Sequence, residues 1–127
     1  MRKWIIILAI LIGGGWYVKT HYTPQDVLKY AKEHPDPKKA AKLEYYVGTY
    51  YFARDRKAEM VGAYNQLLTD HPTCQYAPKA LLRVGNYYKD QRDYDTAREL
   101  YLRYMEDFPE GFDINKVKQK YEFVKFK

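Results

Sequence analysis

Residues 77–109 read APKALLRVGNYYKDQRDYDTARELYLRYMEDFP, and residues 40–72 read AAKLEYYVGTYYFARDRKAEMVGAYNQLLTDHP. Laid over one another at an offset of 37 without a gap, the two agree at nine positions. The shared residues are Ala40 and Ala77, Lys42 and Lys79, Val47 and Val84, Gly48 and Gly85, Tyr50 and Tyr87, Tyr51 and Tyr88, Tyr64 and Tyr101, Asp70 and Asp107, Pro72 and Pro109. Pro35 stands one period earlier again. A fixed period of this size is the signature of stacked helical hairpins, each unable to bury its apolar face alone. Such arrays present extended docking surfaces, so the period bounds the function before any single residue is considered.

Composition agrees with a thin, stacked core. At 127 residues the chain holds one domain at most, and a core that small must be completed by stacking and by large side chains. Fifteen tyrosines supply them. Each brings a large apolar ring and a polar tip that can reach water at the edge of a helical layer. The net charge is +6, from 22 Lys and Arg against 16 Asp and Glu. Arg2 and Lys3 precede the apolar start of the chain, which leaves 20 against 16, or +4, for the rest. That balance is no nucleic-acid footprint. Lys116, Lys118, Lys120, Lys125 and Lys127 gather at the C-terminus with only Glu122 opposing them. They form either a solvated helix face or a contact for an acidic partner or an anionic membrane surface. Cys74 is the single cysteine, so no internal disulfide forms, and no metal-ligand spacing surrounds it.

Trp4 to Val18 carry no charge, between Arg2 and Lys3 on one side and Lys19 and His21 on the other. The run is either a signal-peptide core or a short membrane anchor. As a helix its 15 residues reach about 22 Å at 1.5 Å per residue, short of a hydrocarbon core of about 30 Å. Against cleavage stand the lack of an A-x-A-like site and the interfacial aromatics Trp4, Trp16, Tyr17 and Tyr22. Residues 1–21 are therefore expected to be a signal anchor or transmembrane segment that meets the membrane through residues 4–18. The expected location is the inner membrane with the C-terminal domain in the periplasm, the alternative being a periplasmic protein released by cleavage. Gly13-Gly14-Gly15 either weakens this helix, marks a cleavage region or admits a neighbouring helix.

Residues 22–127 read as helices throughout, with no sustained period-two alternation. Thr23-Pro24 opens a helix that stops at Pro35. Further helices are expected over 38–53, 58–70, 76–89 and 94–108, with turns at 54–57 and 90–92, and a last one over 113–125. Gly48 and Gly85 fall mid-helix, where glycine costs about 1 kcal/mol relative to alanine. Their recurrence predicts close contact with the partner helix. Ala97 is expected to serve the same contact, while Met60 at the equivalent place predicts a looser first unit.

The pattern Glu44, Val47-Gly48, Tyr51, Met60, Tyr64, Leu67, Pro72 and its sequel Leu81, Val84-Gly85, Tyr88, Ala97, Tyr101, Tyr104, Pro109 resembles the tetratricopeptide repeat. The resemblance covers 41–109, with repeats at about 41–72 and 78–109. It implies an all-α fold of antiparallel helical hairpins, two repeats with half-repeat caps, behind the N-terminal apolar helix. Residues 24–34 resemble the second helix of an incomplete preceding unit. The capping helix over 113–125 resembles the first helix of a following one, with Lys118, Glu122 and Lys125 at apolar or small positions. The entry Pro72, Tyr76, Ala77, Ala80 is similar to that of periplasmic repeat proteins of outer-membrane assembly and Tol-Pal accessory type. Many of those are lipoproteins, and this chain has no lipid-bearing cysteine.

In such repeats the first helices line the ligand groove. By register the resemblance assigns to it Lys42, Tyr45, Thr49 and Phe52, then Lys79, Leu82, Asn86 and Lys89, then Lys116, Gln119 and Phe123. Lysine recurs at one groove position in all three units, which suits a protein partner with acidic groups and apolar anchors. The family's carboxylate clamp is absent, since Tyr45, Thr49 and Arg83 stand where it needs Lys and Asn. His34 and His71 end helices before proline, and no nucleophile, phosphate-loop or metal motif occurs. No enzymatic activity, cofactor, metal or nucleic-acid partner is expected. The expected function is a membrane-anchored protein-interaction module, a scaffold or recruitment factor for an envelope complex. The alternative is a small structural subunit built permanently into a larger membrane complex.

Overall fold

The computed structural model describes the backbone of residues 2–21 and 23–127 and the side chains of residues 3–12 and 23–127. Among them the chain forms seven helices and no strand: α1 Arg2–His21, α2 Pro24–Lys32, α3 Pro37–Ala53, α4 Lys57–Asp70, α5 Ala77–Asp90, α6 Tyr94–Asp107 and α7 Ile114–Val124. The starts follow from local chemistry. Thr23 and Asp26 form a reciprocal capping box, the Thr23 hydroxyl accepting from Asp26 N at 3.2 Å and the Asp26 carboxylate from Thr23 N at 3.0 Å. Asp36 caps α3 ahead of Pro37 by accepting from Lys38 N, and Asp93 caps α6 by accepting from Thr96 N.

The 37-residue period reappears in the backbone. Among the described residues, Asp55 and Arg92, one period apart, are the two non-glycine residues with positive φ, at 58° and 63°. Beside them Arg56 N donates to Tyr51 O and Asp93 N to Tyr88 O, both at 2.9 Å. These turns fold α3 onto α4 and α5 onto α6, while α2 leads the stack on α3 and α7 closes it on α6.

The core runs through every interface, and its largest fully buried side chains are Tyr64, Tyr101 and Tyr104. Each buried phenol finds a polar contact. Tyr64 Oη lies 2.9 Å from Thr49 Oγ1, Tyr101 Oη donates to Asn86 at 2.6 Å, and Tyr104 Oη accepts from Asp113 N at 3.1 Å. Burial raises the pKa of all three above the ordinary tyrosine value. This is how a tyrosine-rich chain fills a thin core without stranding hydroxyls.

The recurring glycines stand against these rings. A Cβ on Gly85 would lie 2.7 Å from Tyr101 Cε1, and one on Gly48 would meet the Tyr64 ring more closely still. The first unit is thus no looser than the second, contrary to the expectation from Met60, which is itself buried. The unbranched methionine fills the space that its extra length threatened to open.

Among the described residues no helix is long and apolar enough to cross a membrane, so the expected transmembrane span is not found. α1 has 20 residues, and the side chains of its second half, residues 13–21, lie outside the described residues. Side chains from Lys3 to Ile12 are all exposed. The side chains of the aromatic and basic residues expected at its far end, Trp16, Tyr17, Lys19 and Tyr22, lie outside the described residues.

Candidate binding groove

The first helices α3, α5 and α7 line one side of the stack, and two clefts open along them. One, of about 240 Å³, lies between α3 and α5 and is bounded by Phe52, Leu82, Arg83 and Asn86, with Lys57 and Asp90 at its rim. The other, of about 560 Å³, lies between α5 and α7 and is bounded by Leu82, Asn86, Lys89, Lys116, Lys120 and Phe123, with Gln119 beside them. Leu82 and Asn86 belong to both, so the clefts form one continuous furrow. Lys79 reaches the first of them.

Of the residues assigned by register, Phe52, Lys79, Leu82, Asn86, Lys89, Lys116, Gln119 and Phe123 therefore come together, and Lys42, Tyr45 and Thr49 line neither cleft. Tyr45 is held in the inter-repeat packing, stacked on Tyr76 with centroids 4.6 Å apart and tilted against Tyr64. Thr49 is occupied by the Tyr64 hydroxyl and by Arg83, whose guanidinium donates to it at 3.2 Å. Lys42 leans over the Tyr46 ring, 5.6 Å from its centroid.

The expected lysine row is interrupted electrostatically at its centre. Lys79 Nζ bonds Asp113 Oδ2 at 2.8 Å, and Lys116 Nζ stands 4.0 Å from the other oxygen of the same buried carboxylate. One acid thus compensates two of the three lysines. Free positive charge shifts to the Lys89–Lys120 end. There Lys120 sits below its ordinary pKa, first through burial and then through the neighbouring Lys89. Lys89 and Lys127 both lie over the Phe123 ring, at 5.6 and 4.8 Å from its centroid.

Two residues that matter escaped the register. Arg83 pins α5 to the preceding unit: it donates to Tyr64 Oη at 2.6 Å and lies 4.3 Å from the Phe52 centroid. The second is Glu44, fully buried, with neither carboxylate oxygen hydrogen-bonded. Gln66 donates to Leu28 O at 2.8 Å, and His71 Nε2 stays 3.8 Å from Glu44 Oε1. Burial pushes Glu44 up to about 7, with Gln66 and Lys32 opposing the rise and Asp70 adding to it. The signal for Glu44 was present in the period, since its counterpart is the buried Leu81. Among the described residues no group of three or more His, Cys, Asp or Glu could hold a metal ion.

A tetratricopeptide-repeat family model matches residues 79–111, the stretch from α5 to the turn before α7. Neither a curated protein nor a solved structure matches the chain. The match agrees with the all-helical hairpins and with a protein-interaction fold, the typical use of this repeat.

Proposed function

We propose that the chain is a scaffold or recruitment module that binds a protein partner in the furrow along α3, α5 and α7, and that α1 holds it at a membrane. The observation that carries the binding reading is the furrow itself. Phe52, Leu82 and Phe123 offer apolar contact along a line on which Lys89 and Lys120, with Asp90 beside them, are held in no salt bridge among the described residues. A partner segment with apolar anchors and an acidic group near Phe123 fits that lining. The anchors supply affinity, because exposed ion pairs contribute only about 0–1 kcal/mol each, and the charges set on-rate and register.

The membrane reading rests on the uninterrupted exposure of Trp4, Ile5, Ile6, Ile7, Leu8, Ile10, Leu11 and Ile12, a patch that demands cover. Location at the cytoplasmic membrane of a bacterial envelope belongs to the same proposal and rests on Arg2, Lys3 and the apolar run. The alternative, a subunit fixed in a larger complex, draws on the same patch: apolar side chains all round residues 4–12 suit burial among other helices.

A peptide-display selection with the full chain tests the binding reading. Enriched peptides should combine an aromatic or aliphatic residue with a carboxylate. They should lose at least about tenfold in affinity to Phe52→Ala/Phe123→Ala while keeping it for Leu102→Ala on an exposed part of α6. Equal loss in both variants, or none in either, contradicts it.

A further inference from the structure

The two ends of the stack are finished differently. At the C-terminal end the positions of α7 that would meet a further second helix are Lys118, Glu122 and Lys125, a charged cap. The N-terminal end has no such cap. There α2 stands where the second helix of a preceding unit belongs, and among the described residues no docked first helix accompanies it. One period on from Val27 and Tyr30 lie Tyr64 and Leu67, both fully buried, yet Tyr30 is 61% exposed. On α3 the open face carries Lys39, Lys42, Tyr46 and Tyr50. Their counterparts one period on are Tyr76, just before α5, and Lys79, Arg83 and Tyr87 on it, the side from which Tyr76 and Arg83 pack onto the preceding unit. The same face of the repeat is thus used as an interface in one unit and left open in the other.

The open face has a definite chemistry. Tyr46 and Tyr50 are 53% and 44% exposed, and the Lys42 and Arg54 cations lie over their rings at 5.6 and 5.2 Å. Lys39 and Lys42 are exposed on this face of α3, whose one acid, Glu44, is buried. Tyrosine rings flanked by lysines suit the headgroup layer of an anionic bilayer, where amphipathic rings and cations are both favoured. The chain also brings this face there. The link from His21 to Pro24 reaches at most about 11 Å, so whatever surface takes up α1 lies beside the end formed by α2 and α3. A second copy stacking head to tail fits poorly, since it would bring Lys118 and Glu122 of α7 against Val27 and Tyr30.

We infer that the end of the stack formed by α2 and α3 is a lipid-docking face, seating Tyr46 and Tyr50 with Lys39 and Lys42 on an anionic membrane surface. The inference rests on the reading that α1 enters lipid, and the two are separable. α1 recognises hydrocarbon whatever the headgroup, whereas the face recognises negative charge.

The test is co-sedimentation of the full chain with phosphatidylcholine vesicles, with and without phosphatidylglycerol, at low and high salt. Phosphatidylglycerol should raise binding at least about tenfold at low salt, given roughly fivefold per lysine at the surface. Lys39→Glu/Lys42→Glu should abolish that gain. Lys118→Glu/Lys127→Glu at the other end should keep it. All four positions are exposed, and matched helical melts establish that each variant is folded. No gain with phosphatidylglycerol overturns the face, as does a gain that survives the α3 reversals or falls only with the C-terminal ones. A detergent-solubilised dimer that the α3 reversals dissociate overturns it in favour of a second copy. Loss of binding to pure phosphatidylcholine, with the charge-dependent binding intact, removes the α1 reading and leaves the face standing.

Discussion

Glu44 is a carboxylate at a position that the next unit gives to leucine, and the fold buries it with neither oxygen hydrogen-bonded. Its folded pKa of about 7 lies above the ordinary value of 4.5. Below about 4.5 it is protonated in both states and costs the fold nothing through ionisation. As pH rises from there to 7 the unfolded chain ionises and the folded one resists, so stability falls. Above 7 the loss is complete, on the order of 3 kcal/mol. Denaturant unfolding at pH 5 and pH 8 should show the wild type weaker at pH 8 and Glu44→Leu nearly level between the two. An unchanged pH dependence in the variant would place the titration elsewhere. The glycines give a second contrast at this scale. Gly85→Ala gains helix propensity but drives a Cβ into the Tyr101 ring, and should lower stability by roughly 1–3 kcal/mol. Gly62, with nothing within 4 Å of a built Cβ, should gain about 0.5–1 kcal/mol on change to alanine. Thermal melts that move in the same direction for both would refute the close approach.

Among the elements, the helix spans are legible from sequence because their ends are written in caps and prolines: Thr23-Pro24, Asp36-Pro37 and Asp93. The period makes the hairpins legible too. The fate of groove positions is less so, because register states which helix face a residue occupies and not what the next unit lays upon it. Tyr45 and Thr49 sit on the first-helix side as the register requires, and Tyr76 and Arg83 then consume them. The pairing of Lys79 with Asp113 likewise spans 34 residues and two units, beyond the reach of any local pattern. Arg83 is the joint between hairpins, so Arg83→Lys should cost about 1–2 kcal/mol despite the kept charge, since lysine cannot cover Phe52 while bonding both Tyr64 and Thr49. A double-mutant cycle with Tyr64→Phe should return a coupling near 1 kcal/mol, and additivity would show that the two side chains act independently.

At the scale of the molecule, two complete hairpins between a leading second helix and a trailing first helix leave one furrow and two unlike ends. The furrow's apolar positions are spread over α3, α5 and α7, so its shape exists only when the units are stacked, and a partner there bridges them. Site-specific photocrosslinking of the full chain in its own membrane tests this most directly, with the crosslinker placed in turn at Phe52, Phe123 and, on exposed α6, Leu102. Positions 52 and 123 should yield the same adduct and position 102 none. An adduct from 102 alone, or unrelated adducts from 52 and 123, would contradict a partner seated along the furrow.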